Sequence, residues 1–200
     1  AANYKPRLMA LGFEPKANEG LSDADLRSSL IGGFGTMGDA DVVAEARRRF
    51  SALSTNPKAL DGPLKTTWLN IVARNATKAD WDAIQKMAAA SNSAVERQFL
   101  YTLLGRPADA TLASAARDLA LTDIPGKTTS AAMIVASAGL HPDATYDFAL
   151  ANRARIEALV DAQSRITFIP SLANAASDPA MEAKLQTFKA SVPAEAARPV

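Results

Sequence analysis

Between Leu26 and Phe50 apolar residues return every three or four positions, and the pattern is broken once, at Gly38-Asp39. Leu26, Leu30, Phe34 and Met37 share one stripe of a helix, and Val42, Ala46, Phe50 and Leu53 share one stripe of a second. Glycine is the residue that most readily ends the first helix, and the Asp39 carboxylate can accept the free N–H groups that open the next. The segment therefore reads as an αα-hairpin. Two short helices cannot bury two apolar stripes against each other alone, so the chain must supply neighbours.

The rest of the sequence reads as those neighbours. Ala1 to Leu11 is expected to be the end of a helix closed by Gly12, and Ser22 to Asp25 has capping-box spacing, with Asp replacing the usual Glu. Thr77 to Asp80 repeats that box ahead of a stripe of Trp81, Ile84 and Ala88. Leu64, Trp68 and Val72 precede it, and Val95, Phe99 and Leu103 follow. Asp109 caps a helix with Leu112, Ala116 and Leu119, and Met133, Ile134 and Ala138 line the next. His141-Pro142-Asp143 is expected to open the longest helix, and Asp178-Pro179 the last. Second-helix starts at 39, 77, 109, 141 and 178 are separated by 38, 32, 32 and 37 residues. Paired helices at that period are the mark of a repeat stack, and no stretch alternates with the period of two that a strand requires. The expected fold is all-α: an α-solenoid, or α-α superhelix of antiparallel HEAT-like pairs, forming a single domain over 1–200 with a loose Pro-rich tail at 193–200.

Several function classes fall away on composition. The formal net charge is +1 and aromatics are 6 %, so neither an electrostatic footprint for nucleic acid nor a base-stacking surface is expected. No run of about 18 apolar residues occurs, so no membrane-spanning helix is expected. With no cysteine and one histidine, thiol catalysis is excluded and a catalytic zinc site within these residues is not expected. The chain begins Ala-Ala-Asn without a signal-like segment and is read as a piece of a longer or processed polypeptide, its compartment left open.

Three features invite a chemical reading. Gly33 to Gly38 matches G-x-G-x-x-G, but a dinucleotide site needs a strand before it and a helix after it. The shared stripe from Leu26 to Met37 favours one continuous helix whose glycines admit a close partner. His141, the single imidazole, is expected to be a cap or surface residue beside Pro142. Arg47-Arg48-Arg49 point about 100° apart around a helix, so they form a solvated face paired to Glu45, not one basic patch. No P-loop, HExxH or serine triad is visible.

Five phrases in order carry a resemblance: MALGFEPKANE from Met9, LR..LIG..G..GD..VVAEARRRF from Leu26, IVARNATKADWDAI from Ile71, LLGRPADATLASAARDLAL from Leu103 and HPDATYDFALANRARI from His141. Together, over nearly the whole chain, they resemble the C-terminal helical domain of the zinc aminopeptidases of the puromycin-sensitive, tricorn-interacting and endoplasmic-reticulum type. The resemblance implies a HEAT-like wall that closes over an active site carried elsewhere. In that family the zinc ion, its HExxH helix with a distant Glu, and the segment that holds the substrate's amino end belong to preceding domains. No catalytic, cofactor-binding or metal residue is therefore carried over to these 200 positions. The implied partners are the catalytic and N-terminal domains of the same parent chain, and peptide substrates. Arg153 is the one candidate for contact with a peptide carboxylate, because a guanidinium grips a carboxylate bidentately. Two rival readings are a free-standing HEAT-like scaffold that binds a protein partner, and a nucleotide-binding protein using the glycine run.

Overall fold

A computed structural model describes residues 3–16 and 18–192; the expected loose tail at 193–200 lies outside the described residues. Among the described residues there are twelve helices and no strand. The chain is all-α and built of helix pairs of the helical-repeat, α-solenoid kind. Helices begin at Ala40, Lys78, Ala110, Pro142 and Ala180, one or two residues after the expected starts. The residues form two compact units, 1–75 and 76–200.

The first unit holds α1 (Lys5–Leu11), α2 (Leu21–Thr36), α3 (Ala40–Ala52) and α4 (Lys65–Arg74). Gly12 ends α1 with φ +73° and returns its N–H to the Leu8 carbonyl at 2.8 Å. Gly38 ends α2 with φ +75°, a conformation that a side chain would strain. The Asp39 N–H then reaches back to the Phe34 carbonyl at 3.0 Å, and its carboxylate accepts the Val42 N–H at 3.2 Å. The expected cap of α3 is in place. The neighbour that the hairpin requires is α4, which packs against both α2 and α3. Trp68, Leu69 and Val72 on α4 are buried together with Val42, Ala46 and Phe50 on α3.

Helix α2 departs from its expected pattern in two ways. Its N-cap is Gly20 and no side chain caps it, so the Ser22–Asp25 spacing is not used. Its buried face is Arg27, Ile31, Phe34 and Gly35, one residue round from the expected stripe, while Met37 is 61 % exposed. The reason is Arg27. It is 2 % exposed, and it occupies the core-facing position because Glu19 neutralises it from the preceding connector. Nη1 donates to Glu19 Oε2 at 2.6 Å, Nη2 to Glu19 Oε1, and Nε to the Gly12 carbonyl at 3.1 Å. One side chain thus ties the connector before α2 to the helix itself.

The second unit holds α5 (Lys78–Ala90), α6 (Ala94–Leu104), α7 (Ala110–Ala120), α8 (Lys127–Ala138), α9 (Pro142–Ala151), α10 (Arg153–Glu157), α11 (Arg165–Ser171) and α12 (Ala180–Ala190). The Thr77–Asp80 capping box forms in both directions: Thr77 Oγ1 accepts the Asp80 N–H, and Asp80 accepts the Thr77 N–H at 2.9 Å. Asp109 accepts the Leu112 N–H at 2.9 Å, as expected. Helix α5 pairs with α6, and Trp81 on their seam donates its indole N–H to the Leu104 carbonyl at 3.0 Å. Helix α8 packs against α6, α7 and α9. Where α6 meets α8, a Cβ at Gly105 would come within 2.4 Å of the Met133 carbonyl oxygen, so that approach needs glycine.

Two expectations fail in this unit. Val95 is 80 % exposed, and the buried face of α6 is Leu100, Tyr101, Leu103 and Leu104. The helix from Pro142 is not the longest. It stops after ten residues at Ala151, and a five-residue helix resumes at Arg153, whereas α2 runs for sixteen. Asn152 makes the break with φ −114° and ψ 26°, its side-chain amide donating to the Phe148 carbonyl at 3.0 Å.

Candidate functional site

The glycine run follows no strand: it lies in the last turns of α2 and the joint to α3. Gly33 and Gly35 lie inside α2, so the arrangement a dinucleotide fingerprint needs is missing. Gly35 serves packing: a Cβ there would lie 2.3 Å from Ile71 Cγ1 on α4, while Gly33 faces open space. The nucleotide-binding reading is set aside on that geometry.

The arginine run is only partly the solvated face that its spacing suggests. Arg48 is exposed and pairs with Glu45 at 2.7 Å. Arg49 is 13 % exposed at its side chain, pairs with Glu45 at 2.7 Å and with Glu14, and lies 4.7 Å over the Trp68 ring. Arg47 donates to the Asn75 carbonyl at the end of α4. Two of the three arginines fasten helices together.

His141 is half-buried at the N-cap of α9 without a side-chain cap bond. Its Nε2 lies 2.9 Å from the Pro107 carbonyl oxygen. A carbonyl can only accept, so the proton sits on Nε2, and the ring ties the α6–α7 connection to the start of α9. The cap-or-surface reading is refined to an inter-helix tie.

Arg153 starts α10, directly after the break at Asn152. Its Nε donates to Glu157 Oε1 at 2.6 Å, Nη1 donates to Ser191 Oγ at 3.0 Å, and the guanidinium lies 4.9 Å over the Phe188 ring of α12. Beside it Lys184 pairs with Asp147 at 2.7 Å, and Tyr146 donates to the Lys184 carbonyl at 3.3 Å. Hydrogen bonding to Asp147 raises the Lys184 pKa, and burial raises that of Tyr146. These contacts fasten α12 to α9 and α10.

A buried polar cluster escaped the sequence reading. Arg117 on α7 is 6 % exposed, and Ser137 on α8 and Thr145 on α9 are fully buried. Arg117 Nη1 donates to Ser137 Oγ at 3.0 Å, and Ser137 Oγ lies 3.2 Å from Thr145 Oγ1. Its signal was a charge at stripe spacing, since Arg117 falls between Ala113 and Ala120 on the buried face of α7.

Among the described residues no group of three or more His, Asp or Glu side chains is placed to hold a metal ion. No described helix is long and apolar enough to cross a membrane.

Residues 2–200 match the family model described as ERAP1-like C-terminal domain. The chain belongs to that family. As an ERAP1-like C-terminal domain it agrees with the resemblance carried by the five sequence phrases, and the family match covers both compact units. None of the positions described above acquires a catalytic assignment from it.

Proposed function

We propose that this ERAP1-like C-terminal domain is a non-catalytic part of a zinc-dependent aminopeptidase. It caps the active-site chamber and shapes the access of peptides whose N-terminal residues the parent enzyme removes. The observation that carries the reading is the family match across residues 2–200. The structure is compatible with it: side chains that look chemically suggestive in sequence, namely Arg47, Arg49, His141 and Arg153, are engaged in holding helices to one another. The partners are the N-terminal and catalytic domains of the same chain, together with peptide substrate. The zinc ion is bound in the catalytic domain, where it would act as Lewis acid and activate water.

Arg153 is proposed as a contact for the far carboxylate of a long peptide. Its Nε and Nη1 have partners within the fold, but its side chain is 38 % exposed, so an incoming carboxylate can approach the guanidinium from the solvent side. The test compares full-length wild-type enzyme with Arg153→Ala on a short chromogenic substrate and on peptides of increasing length. The expected result is a raised KM for long peptides only. An unchanged KM at every length removes Arg153 from the proposal, whereas no release of N-terminal residues by the wild-type protein removes the aminopeptidase reading itself.

A further inference from the structure

Among the described residues two arginines are buried, and only one of them has an acid to answer it. Arg27, 2 % exposed, is gripped by Glu19 through both terminal nitrogens. Arg117, 6 % exposed, makes no ion pair with any described carboxylate. Its one hydrogen bond goes to the neutral hydroxyl of Ser137, its Nε is buried with no partner, and its guanidinium lies 5.7 Å over the Phe148 ring. Burial lowers the pKa of Arg117, opposed by the charge of Asp118 next in sequence. A guanidinium nevertheless stays protonated in proteins, so the positive charge persists inside the fold. Removing a charge from water without a counter-charge is unfavourable, and a neutral hydroxyl and an aromatic ring supply no negative charge to balance it.

We propose that Arg117, Ser137 and Thr145 form a binding site for one small monovalent anion, a halide or a carboxylate. The unpartnered Nε–H supplies a charged donor, and because one hydroxyl of the Ser137–Thr145 pair donates to the other, the pair has one O–H left to donate as well. A single guanidinium balances a single negative charge, so a dianion is disfavoured. The three residues come from α7, α8 and α9, and a bound anion therefore cross-links three helices that meet at one buried point.

The test follows the full-length protein in a bulky sulfonate buffer at fixed ionic strength, titrated with sodium chloride or, separately, with sodium acetate. A ligand that binds only the folded state raises the unfolding temperature with saturation. The expected outcome is a saturable rise of several degrees, together with broadening of the chloride-35 resonance that acetate reverses if both anions compete for one site. A response to chloride alone identifies a halide site, and a response to acetate alone identifies a carboxylate site. Arg117→Met should abolish the saturable rise while unfolding, in sulfonate buffer, at or above the wild-type temperature, because an apolar side chain of similar length removes the uncompensated charge. Should that variant fail to fold, Thr145→Val provides the second arm, with an expected tenfold rise in the half-saturating anion concentration. No saturable response to either salt in wild type, an equal response in Arg117→Met, or an unchanged half-saturation in Thr145→Val overturns the proposal.

Discussion

The guanidinium of Arg49 lies 4.7 Å over the ring of Trp68, so a residue from a three-arginine run covers the largest side chain of the first unit. The contact combines cation–π attraction with the packing of an aliphatic stem, and the Glu45 and Glu14 carboxylates hold the cation in register. Arg49→Ala should cost about 1–2 kcal/mol in urea unfolding, and Arg48→Ala much less, because Arg48 is a solvent-exposed partner. Equal losses would show that the stacking contributes nothing.

The glycine run gives opposed effects two residues apart. Gly33 faces open space inside α2, so Gly33→Ala should stabilise by about 0.5–1 kcal/mol through helix propensity. At Gly35 a methyl would enter the space of Ile71, and Gly35→Ala should destabilise by about 1–3 kcal/mol. Thermal unfolding of the two variants reads both signs, and neither change should create or abolish nucleotide binding.

The two capping-box spacings should behave differently on mutation. Thr77 caps α5, so Thr77→Ala should cost about 1 kcal/mol. Ser22 lies inside α2, behind the Gly20 cap, and Ser22→Ala should be neutral or slightly stabilising. Chemical unfolding midpoints decide between these outcomes.

Acid should weaken the first unit through Asp39 and Glu45. The hydrogen bond from Lys5 lowers the pKa of Asp39 below its ordinary 3.8, and the hydrogen bond from Arg48, joined by that from Arg49, lowers Glu45 below 4.5. In each case the unfolded chain binds the proton first. The contribution to stability is therefore complete above the ordinary value and is lost as pH falls below it through the folded value. Asp39→Asn keeps an N-cap acceptor for the Val42 N–H but cannot titrate. The stability gap between wild type and Asp39→Asn should be constant near neutrality and shrink below about pH 4. A gap that does not change with pH would remove the Lys5–Asp39 pair from the account.

Local signals were legible where the physics is local. The caps at Asp39, Thr77 and Asp109 depend on three or four consecutive residues, and they form as the sequence indicates. The stripe of Trp81, Ile84 and Ala88 is buried as its period requires. Helix α2 was misjudged because the partner of Arg27 lies eight residues upstream across a connector, where helical spacing carries no information. The break at Asn152 has neither glycine nor proline to announce it, and its side chain bonds back to Phe148 in the turn before. The Arg117 cluster was hidden for a similar reason, since its three residues come from three helices.

The central claim places zinc and peptide-bond cleavage outside these residues, in the same parent polypeptide. The most direct measurement is the metal content of the full-length protein together with its release of N-terminal residues from a peptide, for wild type and for His141→Ala. The account predicts one zinc per chain and aminopeptidase turnover, both unchanged by the substitution, because His141 serves as a tie to the Pro107 carbonyl. A full-length protein that carries no zinc and releases no N-terminal residue, or one that loses its zinc with His141, would contradict it.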